Sequence, residues 1–371
     1  MDYVKGMDLS TMNELEKLGA VYYDHGTQTD LLEIMKHYDI DTIRLRLWND
    51  PYSESGEPYG AGTNDLDTTL AIAKKVTDAG LQVLLNFHYS DFWADPLKQI
   101  KPKAWQGMTP DELADAVYSY TRHVMRIFKE NQIRLSMVQV GNELTNGLLW
   151  PDGKKPDFDH IAQFVNAGIR AVRSVDETVP IMLHLDNGGN APMYREWFDE
   201  YLKRGEPFEI IGLSYYPFWH GTINDLKQNM DALAGRYHKD LIIAETSMGF
   251  TMEDYQAYEQ LPDSQRKGYA TKPKLVESLE FPMTPQGQAD FMKELLTCIH
   301  DVPEGRGKGF FYWEPAWIPV KGSGWATPAS LRYMNDPGPC GNEWANQALF
   351  DYDGNALPAW DVIRDDSRDS R

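Results

Sequence analysis

Short, nearly continuous apolar runs alternate along this chain with longer stretches whose apolar positions recur at helical spacing. The strand-like runs are YVKGMDLS (3–10), TIRLRLW (42–48), QVLLNFH (82–88), MVQVGNE (137–143), PIMLHLD (180–186), EIIGLSYYP (209–217), LIIAET (241–246) and GFFYWEP (309–315). Helical patterns fall between them, at 30–38, 66–80, from Thr109-Pro110 to about 130, 159–175, 193–204, 223–237 and from Thr284-Pro285 onward, with PAWDVIR (358–364) closing the chain. Thr109-Pro110 reads as an N-cap followed by proline at the first helical position, and Gly80 as a helix stop.

Strands without polar alternation are buried on both faces, as in parallel sheets. The links from helix to strand are short. The links from strand to helix are long and rich in Trp, Tyr, Pro and Gly, and the one after LIIAET runs to about forty residues. Eight strand-helix repeats with all the elaboration on one side predict an α/β fold, a (β/α)8 barrel whose site lies at the C-terminal ends of the strands. A single catalytic domain over 1–364 is expected, with 365–371 (DDSRDSR) as a solvated, disordered tail.

Length and composition fit that expectation. The chain has 371 residues, 42% hydrophobic and 25% charged, enough for one large barrel with insertions. A net charge of −20 argues against nucleic acid and against anionic membrane surfaces as partners. No run of roughly 18 apolar residues is present to span a membrane. No signal peptide is visible, so the expectation is a cytoplasmic protein or one whose leader has been removed. A monomer is expected. Cys298 and Cys340 form no CxxC pair; Cys298 lies in an apolar helical run, and nothing in the sequence demands or forbids a disulfide between them. Tryptophan is unusually prominent in loops: Trp93, Trp105, Trp150, Trp219, Trp317 and Trp325. Such rings either pin loops or offer flat faces to the C–H surface of sugars, and about half are expected to do only the former.

Two glutamates close buried strands. Glu143 follows MVQVGN and Glu245 follows LIIA. A carboxylate there is unfavourable unless it meets solvent or a partner, and on a barrel both positions reach the mouth. Hydrolysis of a glycosidic bond needs such a pair, one protonated and one ionised. No HxH, HExxH or clustered Asp/His spacing offers a metal centre, so no metal is assigned.

The chain resembles glycoside hydrolase family 53, the endo-β-1,4-galactanases, over nearly its whole length, from KGMDLS to ALFDYDGNALP. The likeness is carried by IRLRLWNDP, NFHYSDFWADP, QVGNELTNGLLWPDG, SYYPFWHGT, AETS and FYWEPAWIPVKGSGWAT. It implies a retaining endo-hydrolase of β-1,4-galactan, with Glu143 as acid/base and Glu245 as nucleophile. It further implies that Asn142 bonds the sugar 2-hydroxyl and that Arg46 keeps Glu245 ionised. Arg44 shares the parity of Arg46, which is favoured because it stands nearer the mouth. Tyr215 would support Glu245, while Tyr216, facing away by strand alternation, would pack. His88, His184, Asp91 and Trp313 would line the sugar site, and Trp93, Trp219 and Trp325 would stack further along the cleft. The resemblance requires no cofactor. Bacterial relatives hold a structural calcium after the seventh strand, but the segment here, TMEDYQAYEQLPDSQRKGYATKPK, is poor in adjacent oxygen ligands and argues against one. The rival readings are a mannanase or cellulase of the same clan and a non-catalytic carbohydrate-binding barrel. Neither rival accounts for both the glutamate pair and the aromatic segments.

Overall fold

The computed structural model describes residues 1–253 and 276–366. Eight strands close into a parallel barrel: β1 (Val4–Asp8), β2 (Thr42–Leu47), β3 (Gln82–Phe87), β4 (Leu135–Val140), β5 (Ile181–Leu185), β6 (Ile210–Tyr215), β7 (Asp240–Thr246) and β8 (Gly307–Tyr312). Each strand pairs with its sequence neighbours, and β8 pairs with β1 to complete the ring. The surrounding helices include α1 (Leu31–His37), α2 (Leu66–Asp78), α3 (Pro110–Glu130), α4 (Phe158–Arg173), α5 (Ala191–Leu202), α6 (Ile223–Tyr237), α7 (Pro285–His300) and α8 (Ala359–Asp365). This is the expected (β/α)8 architecture, with element boundaries moved by a few residues.

Local chemistry explains the starts. Thr109 caps α3 by accepting from the Glu112 N–H while the Glu112 carboxylate accepts from the Thr109 N–H, with Pro110 at the first position. Thr222 and Asp225 form the same reciprocal box on α6. At the end of the chain α8 continues through Asp365, and Asp366 pairs with His300. Of the expected tail at 365–371, residues 365 and 366 are thus placed, and residues 367–371 lie outside the described residues. Cys298 is buried, Cys340 is exposed, and both are free thiols.

Each face of the sheet packs into an apolar core of its own. The outer faces of the strands pack on the helices in one extensive apolar cluster. Inside the barrel, Val4, Leu84, Met137, Met182, Ile210, Ile242, Ala244 and Phe311 form a separate apolar plug. Phe311 fills the axis because Gly6 opposite has no side chain; a Cβ there would meet the Phe311 ring at 2.3 Å. Toward the C-terminal ends, the inward positions change from apolar to polar: Asp8, Arg44, Arg46, Asn86, Gln139, His184 and Ser214, each 1% exposed or less. The plug closes the bottom of the barrel, and the polar layer forms the floor of the mouth.

Candidate active site

Above that polar layer lies a cleft of about 490 Å³. Its floor includes Arg44, Arg46, His88, Asn142, Glu143, Tyr216 and Glu245, and its walls carry Trp93, Trp219, Trp313, Trp325 and Trp344. The cleft thus brings together both strand-end glutamates and the expected Asn142, His88, Trp93, Trp219, Trp313 and Trp325.

Glu245 faces the cleft because β7 changes step. Ile242 and Ala244 point into the apolar plug, so regular alternation would turn Glu245 outward. The registers of β7 against β6 and β8 both shift just before it, and such an irregularity re-aims a side chain. Both of its oxygens are taken: Oε1 accepts from Arg44 Nη2 at 2.8 Å and Oε2 from the Tyr216 hydroxyl at 2.9 Å. Burial raises its pKa, while Arg44 and the Tyr216 hydrogen bond oppose the rise.

Glu143 stands where the chain leaves β4 with a left-handed backbone, φ 47°, an unusual conformation for a non-glycine residue that the surrounding contacts must hold. Its Oε1 accepts from the Ser214 hydroxyl at 2.6 Å. Among the described residues no cation pairs with it. Burial pushes its pKa well above the ordinary carboxylate range, the negative charges of Glu245 and Asp186 push it further, and the Ser214 bond only partly offsets them. One carboxyl is therefore held by a guanidinium and a phenol, and the other is placed to keep its proton.

Asn142 presents its Oδ1 to Arg44 Nη2 (2.9 Å) and Asn86 Nδ2 (3.0 Å), and its Nδ2 donates to the Ala94 carbonyl at 2.9 Å. His88 Nδ1 accepts from Trp48 Nε1 and the Ala94 N–H. Both partners only donate, so the proton of this ring sits on Nε2. Burial, with Arg44 and Arg46 nearby, holds His88 well below the ordinary imidazole range and keeps it neutral.

Four sequence expectations are corrected. It is Arg44, not Arg46, that bonds Glu245. The Arg44 side chain starts one layer deeper and spans from Asp8 (2.8 Å) to Glu245, whereas Arg46 is held by Glu314, by the Ala61 carbonyl and by the faces of Trp93 and Trp48. It is Tyr216, not Tyr215, that supports Glu245. Ile210 lies in the barrel plug, so the even-numbered residues of β6 face inward; Tyr215 faces the helices, and its hydroxyl donates to the Gly221 carbonyl. His184 does not line the cleft but is fully buried behind Asn142 and Ser214. Asp91 is also buried away from the cleft, accepting from the Lys103 N–H at 2.7 Å with Lys103 Nζ at 3.2 Å, and it ties two loops together.

Tyr216, Asp186, Trp344, Asp95, Asp336 and Glu343 also line the cleft, although the sequence did not mark them as site residues. Asp186 ends the PIMLHLD run, and its strand-end position was the available signal. Tyr216 is a matter of strand parity, and Trp344, Asp95, Asp336 and Glu343 lie in loops, whose course only the fold reveals. Trp105 and Trp317 are buried, and Trp150 donates to the Asn146 carbonyl, so these three pin loops as expected of about half. Among the described residues no group of three or more His, Cys, Asp or Glu is arranged to hold a metal ion. The ligand-poor segment after the seventh strand lies, from residue 254 to its end, outside the described residues. No described helix is long and apolar enough to cross a membrane.

The model of the family described as Glycosyl hydrolase family 53 matches residues 4–363. An uncharacterised protein of Niallia circulans is 40% identical, the match covering 98% of this chain and 93% of that protein. The endo-β-1,4-galactanase of Bacillus subtilis (strain 168) is 35% identical over 98% of this chain and 86% of that one. Among solved structures, the GH53 catalytic domain of Ignisphaera aggregans superposes with a TM-score of 0.89 at 38% identity, covering 98% of this chain and 96% of that chain.

Proposed function

Because the chain belongs to glycosyl hydrolase family 53, and is thereby a glycoside hydrolase, we propose that it cleaves β-1,4-galactan internally, with retention of anomeric configuration, to short galacto-oligosaccharides. The natural source of such chains would be the type I arabinogalactan side chains of pectin. The observation that carries the reading is the unequal treatment of two carboxyl groups in one cleft: Glu245 bonded to Arg44 and Tyr216, Glu143 bonded to the neutral Ser214 hydroxyl and raised well above the ordinary carboxylate range.

In the first step Glu143 gives its proton to the glycosidic oxygen as Glu245 attacks the anomeric carbon. In the second, Glu143, now ionised, takes a proton from water, which displaces Glu245. Asn142 Nδ2 is suited to the sugar 2-hydroxyl, a bond that strengthens as positive charge develops on the ring. The fixed Tyr216 and Arg44 donors aim the Glu245 carboxylate without reorganisation. An NMR time course on galactan would show the β-anomer forming first; initial α-anomer would overturn retention.

The galactan assignment is supported by the angles between the aromatic walls. β-1,4-Galactan has an axial C4 oxygen in each residue and coils, whereas cellulose is flat. Trp219 and Trp344 stand at 77° to one another, Trp313 and Trp344 at 77°, and Trp93 and Trp313 at 48°. Faces turned in this way fit a coiling chain better than a flat ribbon. A polar site that loses its hydrogen-bond match discriminates by about 10⁴-fold, so kcat/KM on mannan, xylan, carboxymethylcellulose or β-1,3-galactan is expected to be lower by about that factor. Comparable rates on mannan would refute the substrate assignment, and galactose released singly from chain ends would refute internal cleavage.

No cofactor is needed for this chemistry, and we expect none. EDTA is expected to shift Tm little, whereas a fall of many degrees reversed by calcium would reveal a structural ion.

A further inference from the structure

From Arg44 a chain of buried side chains runs behind the cleft to Glu143. Arg44 Nε lies 3.1 Å from Gln139 Oε1, Gln139 Nε2 lies 3.0 Å from His184 Nδ1, His184 Nε2 lies 2.8 Å from Ser214 Oγ, and Ser214 Oγ lies 2.6 Å from Glu143 Oε1. Arg44, Gln139, His184 and Ser214 are all 1% exposed or less.

We infer that this chain is a directional hydrogen-bond relay, set by Arg44, that makes Glu143 Oε1 an acceptor and so confines the acidic proton of Glu143 to its other oxygen, Oε2. The inference rests on the reading of Glu143 as the general acid.

The direction follows from what each group is able to do. A guanidinium only donates. Arg44 Nε–H therefore fixes the Gln139 carbonyl toward itself and turns the Gln139 amide N–H groups toward Gly141 O, Asn142 Oδ1 and His184 Nδ1, each 3.0 Å away. The backbone N–H of Glu143, also purely a donor, approaches the same His184 Nδ1 at 3.4 Å. One contact points the other way: Asn142 Oδ1 lies 3.2 Å from His184 Nδ1. That oxygen already accepts from Arg44 and Asn86 and has no need of an imidazole proton. His184 is therefore the Nε2–H tautomer. It is neutral, because burial and the Arg44 charge hold it well below the ordinary imidazole range. Its Nε2–H donates to Ser214 Oγ, and the single hydroxyl proton of Ser214 is left to donate to Glu143 Oε1.

The consequence is geometric. A carboxylic acid whose proton is free to sit on either oxygen spends part of its time with the proton on Oε1, donated to Ser214 Oγ and turned away from the cleft. The relay excludes that state. The guanidinium that bonds Glu245 directly thereby also orders the proton on Glu143. His184, Gln139 and Ser214 are positioning residues that touch no substrate.

The test has two parts with separate readouts. In protein labelled with ¹⁵N-histidine, with the His184 signals assigned by comparison with His184→Gln, the neutral Nε2–H tautomer is expected around neutral pH. An Nδ1–H tautomer or an imidazolium would overturn the relay, whatever Glu143 does in catalysis. Gln139→Glu places a carboxylate oxygen against His184 Nδ1 at nearly unchanged volume. It should flip the tautomer, and it should lower kcat on galactan by about 10- to 100-fold while slowing a dinitrophenyl galacto-oligosaccharide, whose leaving group needs no proton, far less. Ser214→Ala should show the same split, and Ser214→Thr should recover part of the loss. Equal slowing of both substrates by Gln139→Glu and Ser214→Ala would mean a merely structural role and refute the relay. Failure of Glu143→Ala itself to show the leaving-group split would instead remove the acid assignment, and the tautomer would still be read independently.

Discussion

Glu245→Ala is expected to lower kcat on β-1,4-galactan by on the order of 10⁴- to 10⁶-fold, and added azide to restore turnover with formation of an α-galactosyl azide. The size follows from the proposed double displacement: without a carboxylate beneath the anomeric carbon, no glycosyl-enzyme would form and no charge would oppose the developing cation. The space left by the carboxylate, flanked by Arg44 and the Tyr216 hydroxyl, suits a small anion attacking from the same face, which gives the α product. Glu143→Ala should behave differently. Turnover of galactan should fall by about 10²- to 10⁴-fold, the usual worth of a general acid. The first step on dinitrophenyl substrates should survive, and azide should attack the glycosyl-enzyme to give the β-azide. Product stereochemistry read by NMR decides the matter: a β-azide from Glu245→Ala together with an α-azide from Glu143→Ala would mean that the two roles are exchanged.

The second large effect is expected at Arg44. Its guanidinium sits 2.8 Å from both Asp8 and Glu245, and the three side chains are 1%, 1% and 9% exposed. Removing one partner of a buried ionic network leaves uncompensated charge and costs about 3–5 kcal/mol. Arg44→Met should lose stability of that order and lower kcat/KM by on the order of 10²- to 10³-fold. The sign of the pH dependence follows from Glu245. Burial already raises its folded pKa, and Arg44 opposes the rise; without Arg44 it climbs further above the unfolded value near 4.3. A carboxyl raised in the folded state contributes stability fully present below the unfolded pKa and lost as pH rises through the folded one. The deficit of Arg44→Met relative to the parent should therefore be small near pH 4 and grow toward neutrality, as measured by denaturant unfolding. The acidic limb of kcat/KM should move to higher pH, since Glu245 must be ionised to act as the proposed nucleophile. Arg46→Met should leave that limb nearly in place. Its partner is Glu314, which burial pushes up to about 7 despite Arg46, and no Arg46 hydrogen bond to Glu245 is present. A shift of the acidic limb in Arg46→Met but not in Arg44→Met would refute this assignment of the two arginines.

The amino-acid sequence by itself determined the barrel, the end of it that carries the elaborated loops, and the two glutamates that close strands there. Near-continuous apolar runs require a sheet covered on both sides, helical periodicity supplies the cover, and the aromatic insertions all follow strands. Glu143 and Glu245 were legible because a carboxylate closing an apolar strand has few places to go. Tertiary structure alone decided which of two adjacent or alternate residues faces inward. A strand buried on both sides has no polar rhythm to reveal its parity, so Tyr215 and Tyr216 are indistinguishable in SYYP, although only Tyr216 reaches Glu245. The irregular step in β7 that turns Glu245 inward after Ala244 leaves no mark in LIIAET. Arg44 and Arg46 share a face, and the choice between them depends on where Asp8, Glu245 and Glu314 stand across the barrel. His184 and Asp91 have the composition of site residues, yet His184 joins the polar floor and Asp91 a loop clamp. Periodicity along a chain records which positions are buried. Partner choice among buried polar groups depends on distances across the barrel, between residues far apart in sequence, and those are set only when the ring of strands closes.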